Sequence, residues 1–244
     1  MGKWRIVFED HFDAPDIDRS VWQYEHGFIR NHEPQYYTDR RENAYTENSD
    51  LVIVTRRENY EGAMYTSASL NTQHNKAFTY GMFEMRAKLP HGKGVWPAFW
   101  MMGDVFGDID WPMCGEIDIM EATGDIHKEN DRRIHLTLHW QSEAKQAHDQ
   151  VYSSYYFEGE TYYDDYHVYA VDWNAERIVW LIDGREVFRT LLTEDMGEAF
   201  HRPHFILVNT ALCDWNDDER PDDTTPLPQE YRIDYIRVSQ WVAD

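Results

Sequence analysis

The sequence predicts an all-β protein, a sandwich or jelly roll of two packed antiparallel sheets, and three observations predict it. Apolar residues recur with period two instead of helical spacing. Roughly a dozen short β-rich runs are separated by clusters of Gly, Asn, Asp and Pro. One pair of runs is joined by Asp183-Gly184, a two-residue loop that favours a type I′ hairpin because both residues must take positive φ. So many strands in one domain most readily close their edges as two packed sheets, which prefers a sandwich to a barrel.

Taken along the chain, the runs are Trp4 to Phe8, Leu51 to Thr55, Tyr65 to Leu70, Tyr166 to Trp173, Phe205 to Asn209 and Tyr231 to Val238. Phe83, Met85, Ala87 and Leu89 alternate with Glu84, Arg86 and Lys88, the pattern of a half-buried strand. Ile134, Leu136, Leu138 and Trp140 alternate with His135, Thr137 and His139, so one face is apolar and the other carries two imidazoles and a hydroxyl suited to line a groove. Arg177 to Ile182 and Arg185 to Arg189 flank the Asp-Gly loop as an antiparallel pair. Helices are expected to be short and few.

The chain has 244 residues, 42% of them hydrophobic and 15% aromatic, enough for one sizeable core. No internal repeat or linker-like tract interrupts it, so residues 1–244 read as a single domain. With 23 basic against 45 acidic side chains the formal net charge is -22, which repels phosphate backbones and anionic headgroups. Nucleic acid and membranes are therefore not expected partners. No run reaches the roughly 18 to 20 apolar residues of a membrane span, and the first residues lack an apolar export segment. Two cysteines, Cys114 and Cys213, allow at most one bridge.

The most informative segment is Gly115-Glu116-Ile117-Asp118-Ile119-Met120-Glu121, three acids set into an apolar run. In a regular strand Glu116 and Asp118 share a face while Glu121 points to the other. A β-bulge near Ile119-Met120 inserts one residue and returns Glu121 to the face of its companions. Four effective strand steps then separate the Glu116 and Glu121 Cα atoms by roughly 13 Å. Side chains leaning together bring the carboxyls to roughly 5 Å, the separation of retaining glycosidases rather than the wider gap of inverting ones. Asp118 between them raises the acid's pKa by repulsion and shares a proton with the nucleophile. Carboxylates on a strand are often only a solvated face. Here Ile117, Ile119 and Met120 mark an interior strand, which tolerates clustered acids only where a cleft admits water and ligand.

Aromatic residues precede the acids. Trp96, Ala98 and Trp100 share one strand face and Phe99 takes the other, with Trp111 just before the acids. Indoles stack on the C–H faces of pyranoses, so these tryptophans fit a polysaccharide cleft, while Phe99 fits the core. His135 and His139 lie about 13 Å apart along a strand with no third ligand evident, which argues against a zinc pair. Hydrogen bonding near Glu121 is their better use.

The segment from Gly115 to Glu121 resembles the catalytic signature of glycoside hydrolase family 16, in the bulged form of its laminarinase-like members. The resemblance extends upstream through Gln35-Tyr36-Tyr37-Thr38, Phe78-Thr79-Tyr80-Gly81 and Trp96-Pro97-Ala98-Phe99-Trp100. It continues downstream through His135 to Trp140 and Asp234-Tyr235-Ile236-Arg237-Val238, nearly the whole chain. It implies a β-jelly-roll of two curved sheets with a concave-face cleft, and retaining endo-hydrolysis of a β-linked glycan. Glu116 is the implied nucleophile, Glu121 the acid/base and Asp118 their partner. Asn31, Trp96, Trp100, Trp111, His139, Asn209 and Trp215 fall where members contact sugars, and His135 joins them on its strand face. No cofactor is implied for catalysis. A structural Ca²⁺ is implied at Glu9 and Asp234, with a carbonyl at Ser49 where glycine is common; oxygen donors suit that ion.

Three departures from the family pattern stand out, and the first two bear on substrate. Ser69 stands where laminarinase-like relatives carry arginine, Leu212-Cys213-Asp214 replaces a Gly-Gly stretch before Trp215, and Ser49 replaces the calcium-site glycine. The expected activity is endo-β-1,3-glucanase. Mixed-linkage glucan, a β-galactan, or a non-catalytic carbohydrate-binding jelly roll are the alternatives, and the last has no use for three carboxylates. A monomer acting on polysaccharide is expected, outside the cell with its signal removed, or in the cytoplasm on imported oligosaccharides.

Overall fold

The computed structural model describes residues 2–124, 130–214 and 219–243. Among the described residues two sheets face each other. The first runs β16 (Arg185–Leu191), β15 (Arg177–Ile182), β14 (His167–Trp173), β9 (Gly81–Lys88), β18 (Gln229–Val242), β5 (Asp50–Tyr60), β6 (Ala63–Ser67) and β3 (Gln35–Tyr37), with β1 (Lys3–Asp10) on β18 and β4 (Ala44–Glu47) on β5. The second runs β13 (Ala147–Tyr156), β12 (Arg133–Ser142), β11 (Glu116–Glu121), β10 (Val95–Gly103), β17 (His204–Leu212), β7 (Ser69–Asn71) and β2 (Gln23–Tyr24), with β8 (Ala77–Phe78) on β17. Two short 3₁₀ turns, Asn130–Arg132 and Glu194–Met196, are the helical content of the described residues.

The expected all-β sandwich is therefore present, and its strands follow the alternation. Phe83, Met85 and Ala87 of β9 are buried while Glu84, Arg86 and Lys88 are half-buried. Asp183 and Gly184 take φ of 51° and 74°, as the hairpin loop requires. Two expectations need correction. The run Tyr65 to Leu70 is two strands: it breaks at Ala68, sending β6 to one sheet and β7 to the other. The pairing of β3 with β6 is parallel, whereas the named strands otherwise pair antiparallel. Cys114 and Cys213 are both buried free thiols.

The core between the sheets is joined to the carboxylate strand by Trp180. This residue on β15 is fully buried and donates its indole N–H to the backbone carbonyl of Asp118, 2.9 Å away in the opposite sheet. Trp180→Ala is expected to lower unfolding free energy by about 3–5 kcal/mol through the cavity it leaves. Trp180→Phe keeps most of the volume and loses the hydrogen bond, so it should cost about 1–3 kcal/mol. Urea titration of the two variants distinguishes these costs.

Candidate active site

The bulge is where the residue spacing puts it. Against β10, Met120 pairs with Phe99 and Asp118 with Trp100, so Ile119 has no partner on that strand. Against β12, Asp118 pairs with Thr137 and Glu121 with His135, three steps on one strand against two on the other. Ile119 and Met120 are consequently both buried in the core, and Glu116, Asp118 and Glu121 all line one cavity of about 670 Å³ on the outer face of the second sheet. The strand enters this row through Gly115, whose φ of +82° suits glycine. An added Cβ there would sit 2.5 Å from the Ala199 carbonyl oxygen.

Each outer carboxyl is held by an indole. Trp111 donates its N–H to Glu116 at 2.6 Å, and Trp96 donates to Glu121 at 2.9 Å. The tryptophans expected as sugar platforms thus also orient the acids. Trp111 remains 42% exposed and keeps a ring face for a ligand, whereas Trp100 is buried in the cleft floor. Its N–H donates to Asn209 at 2.7 Å, and Asn209 donates to the Tyr37 hydroxyl at 3.0 Å. Tyr37 and Gln35 both donate to Glu33. Asn209 therefore lines the cleft with both ends of its amide engaged in fixing Trp100. Asn31 also lines it, in a left-handed conformation with φ of 52° that asparagine tolerates. Trp215 lies outside the described residues.

The two histidines divide their work, which corrects the expectation that both serve Glu121. His135 is across from Glu121, and burial followed by the Arg133 charge pushes it down to about 4, so it is a neutral wall. His139 is across from Glu116 and sets its Nε2 3.3 Å from Asp118. Its Nδ1 lies 2.9 Å from His148 Nε2, and the His148 ring packs 4.7 Å from Trp111. Oxygens of Glu116 and Asp118 and a nitrogen of His139 fall within 4.8 Å of one another.

Burial, then the adjacent carboxyl, raises all three acids: Glu116 to about 8, Glu121 to about 7, and Asp118 well above its ordinary range. The three titrate as a unit. Near neutral pH the row holds protons as well as charge, shared among the three groups. Trp111 and His139 favour charge on Glu116, and Trp96 favours charge on Glu121. In Trp96→Phe the loss of that N–H raises the Glu121 pKa. With Glu121 as the expected acid, which must be protonated to act, the alkaline limb of kcat/KM should move upward by about half a unit to one unit. A pH profile measured on one substrate checks this.

Two site groups escaped the sequence reading. Arg30 holds Glu25 through two hydrogen bonds of 2.7 Å and lies 5.1 Å over the Trp100 ring, while Ser69 donates to Glu25 at 2.5 Å. Burial alone would raise Glu25, but Arg30 takes it below the ordinary range. The arginine missed at position 69 is thus matched by a guanidinium from another segment, steadied by the serine that replaced it. His148 is the second, on β13, a strand not foreseen.

A family model described as Glycosyl hydrolases family 16 matches residues 31–237. The chain belongs to that family. The Beta-glucanase of Rhodothermus marinus is 37% identical over 98% of this chain and 86% of its own length. The Clotting factor G alpha subunit of Tachypleus tridentatus is 35% identical over 98% of this chain, which spans 34% of that protein. The solved laminarinase from Rhodothermus marinus superposes with a TM-score of 0.88 at 35% identity, covering 100% of both chains. The family 16 jelly roll agrees with the sandwich and the cleft described above.

Proposed function

We propose that the chain is a retaining endo-β-1,3-glucanase. The observation that carries this reading is the unbroken row of Glu116, Asp118 and Glu121 in one cleft, each outer acid fixed by an indole N–H. A carbohydrate-binding module needs the aromatic walls but not three acids buried against their own repulsion. The β-1,3 preference rests on the similarity to the Rhodothermus marinus laminarinase.

In this reading Glu121 gives its proton to the glycosidic oxygen as a Glu116 oxygen attacks the anomeric carbon, and the C–O bond to the leaving sugar breaks. Glu121, now anionic, takes a proton from water. The water oxygen then attacks the same carbon, and the bond to Glu116 breaks. Asp118 shares a proton with Glu116 throughout and limits the charge in the row. Chemistry needs no cofactor, and every group used comes from one chain, so a monomer suffices. A polymeric substrate favours action outside the cell.

The calcium reading of Glu9, Ser49 and Asp234 fares less well. Asp234 binds Arg86 at 2.5 Å, and Glu9 faces His11 at 3.4 Å. A Ca²⁺ held by these two side chains and the Ser49 carbonyl would have to displace both contacts. No step uses an ion.

The test is a panel of laminarin, mixed-linkage β-glucan and β-galactans with product sizes followed over time. Rapid early appearance of mid-sized oligosaccharides from laminarin is expected. Cleavage of the galactans with laminarin untouched would refute the β-1,3 assignment.

A further inference from the structure

The hydrogen-bond register of the second sheet draws a line of side chains across the cleft. Trp100 on β10 is paired with Asp118 on β11, Asp118 with Thr137 on β12, and Thr137 with Tyr152 on β13. Directly paired residues share a face, so all four point to the cleft side. Asp118 marks the site of chemistry. One strand spacing away on one side lies the Trp100 ring. Two spacings away on the other, about 10 Å, lies Tyr152. That is room for further sugars between the reacting centre and the phenol ring.

Tyr152 is 65% exposed although it lines the same cavity as the carboxylates. Its neighbours on the cleft side of β13 are Gln150 and Ser154, and Ser154 accepts a hydrogen bond of 3.0 Å from Arg133. Arg133 in turn lies 5.8 Å from the ring of Tyr156, which is 54% exposed. The alternate residues Val151 and Tyr155 pack on the core, so the strand is anchored on one face and presents aromatic and hydroxyl-binding groups on the other. A wet aromatic ring flanked by amide and guanidinium donors matches the two-sided chemistry of a sugar, apolar on its C–H face and polar at its rim. The chain's net charge of -22 disfavours an anionic occupant.

We infer that β13 forms a remote sugar-binding platform, centred on Tyr152 and supported by Gln150 and the Arg133–Ser154 pair, for units of a neutral β-glycan on the side of the scissile bond away from Trp100. This deepens the proposed function and rests on it. The platform engages long substrates and is out of reach of short ones, whose few units beyond the scissile bond end before Tyr152.

The experiment compares wild type, Tyr152→Ala and Tyr152→Phe on laminarin and on laminaritriose, reading the ratio of kcat/KM for polymer to that for trisaccharide. An aromatic contact of ordinary strength predicts a ratio about three- to tenfold lower in Tyr152→Ala, carried mainly by KM on laminarin, with a changed pattern of product sizes. Tyr152→Phe should hold the wild-type ratio, because the ring remains. Wild-type cleavage of laminarin with an unaltered ratio and product pattern in Tyr152→Ala overturns the platform while leaving the proposed function standing. If the wild-type protein cleaves no β-glycan, both fail together. Thermal melting should be the same in all three proteins, since the side chain is exposed.

Discussion

Glu116→Gln is expected to lower turnover on β-glucan roughly ten-thousand-fold or more while leaving the fold intact. The amide keeps the shape and accepts the Trp111 N–H, but it cannot form the bond to the anomeric carbon. Stability should be preserved or raised, because Glu116 is pushed up by burial and by Asp118, and replacing it with a neutral group relieves that repulsion. Activity loss with an unchanged or higher melting temperature separates a chemical role from a structural one. Equal losses of both would mean that Glu116 serves packing.

Glu121→Gln is expected to lower kcat/KM about 10²–10⁴-fold on natural glycan, the range for general acid–base assistance. The size of the loss should depend on the leaving group. A poor alcohol leaving group needs the proton that Glu121 supplies, whereas an aryl glycoside with an acidic phenol departs without it. Hydrolysis of such a glycoside should form the glycosyl-enzyme readily and then stall, because activating water also needs Glu121. A burst of phenol followed by a slow steady state is the expected record. Equal, large defects on both substrate types, without a burst, would assign Glu121 another role.

The carboxylate row was legible because strand geometry has so few options. Period two puts Glu121 on the wrong face, and two successive apolar residues, Ile119 and Met120, are what a bulge leaves behind when both turn inward. The face of β12 was legible for the same reason. Other parts carried no such signal. In β13 the sequence His-Asp-Gln-Val-Tyr-Ser-Ser-Tyr-Tyr places polar and aromatic groups on both faces, because one face meets the core and the other a wet cleft. Arg30 sits in an irregular segment with no periodicity, and its role depends on Glu25 and Ser69 meeting it in space. The break at Ala68 follows from strands passing between sheets, a tertiary event that the local pattern of Tyr65 to Leu70 does not encode.

The bulge also explains the division of roles. Glu116 opposes His139 and Glu121 opposes His135, so the outer acids are separated by the four-residue span between those histidines on a regular strand, about 13 Å between Cα atoms. Two glutamates can reach a common sugar across that span, with Asp118 seated between them. Double displacement, the route proposed above, needs the two carboxyls close together on either side of that sugar.

Proton NMR of the first product released from a β-glucan, recorded in deuterated buffer before mutarotation, reads this out. The β anomer should appear first and relax to the equilibrium mixture. Initial release of the α anomer would mean a single displacement by water and would contradict a bulge that brings Glu116 and Glu121 together as nucleophile and acid.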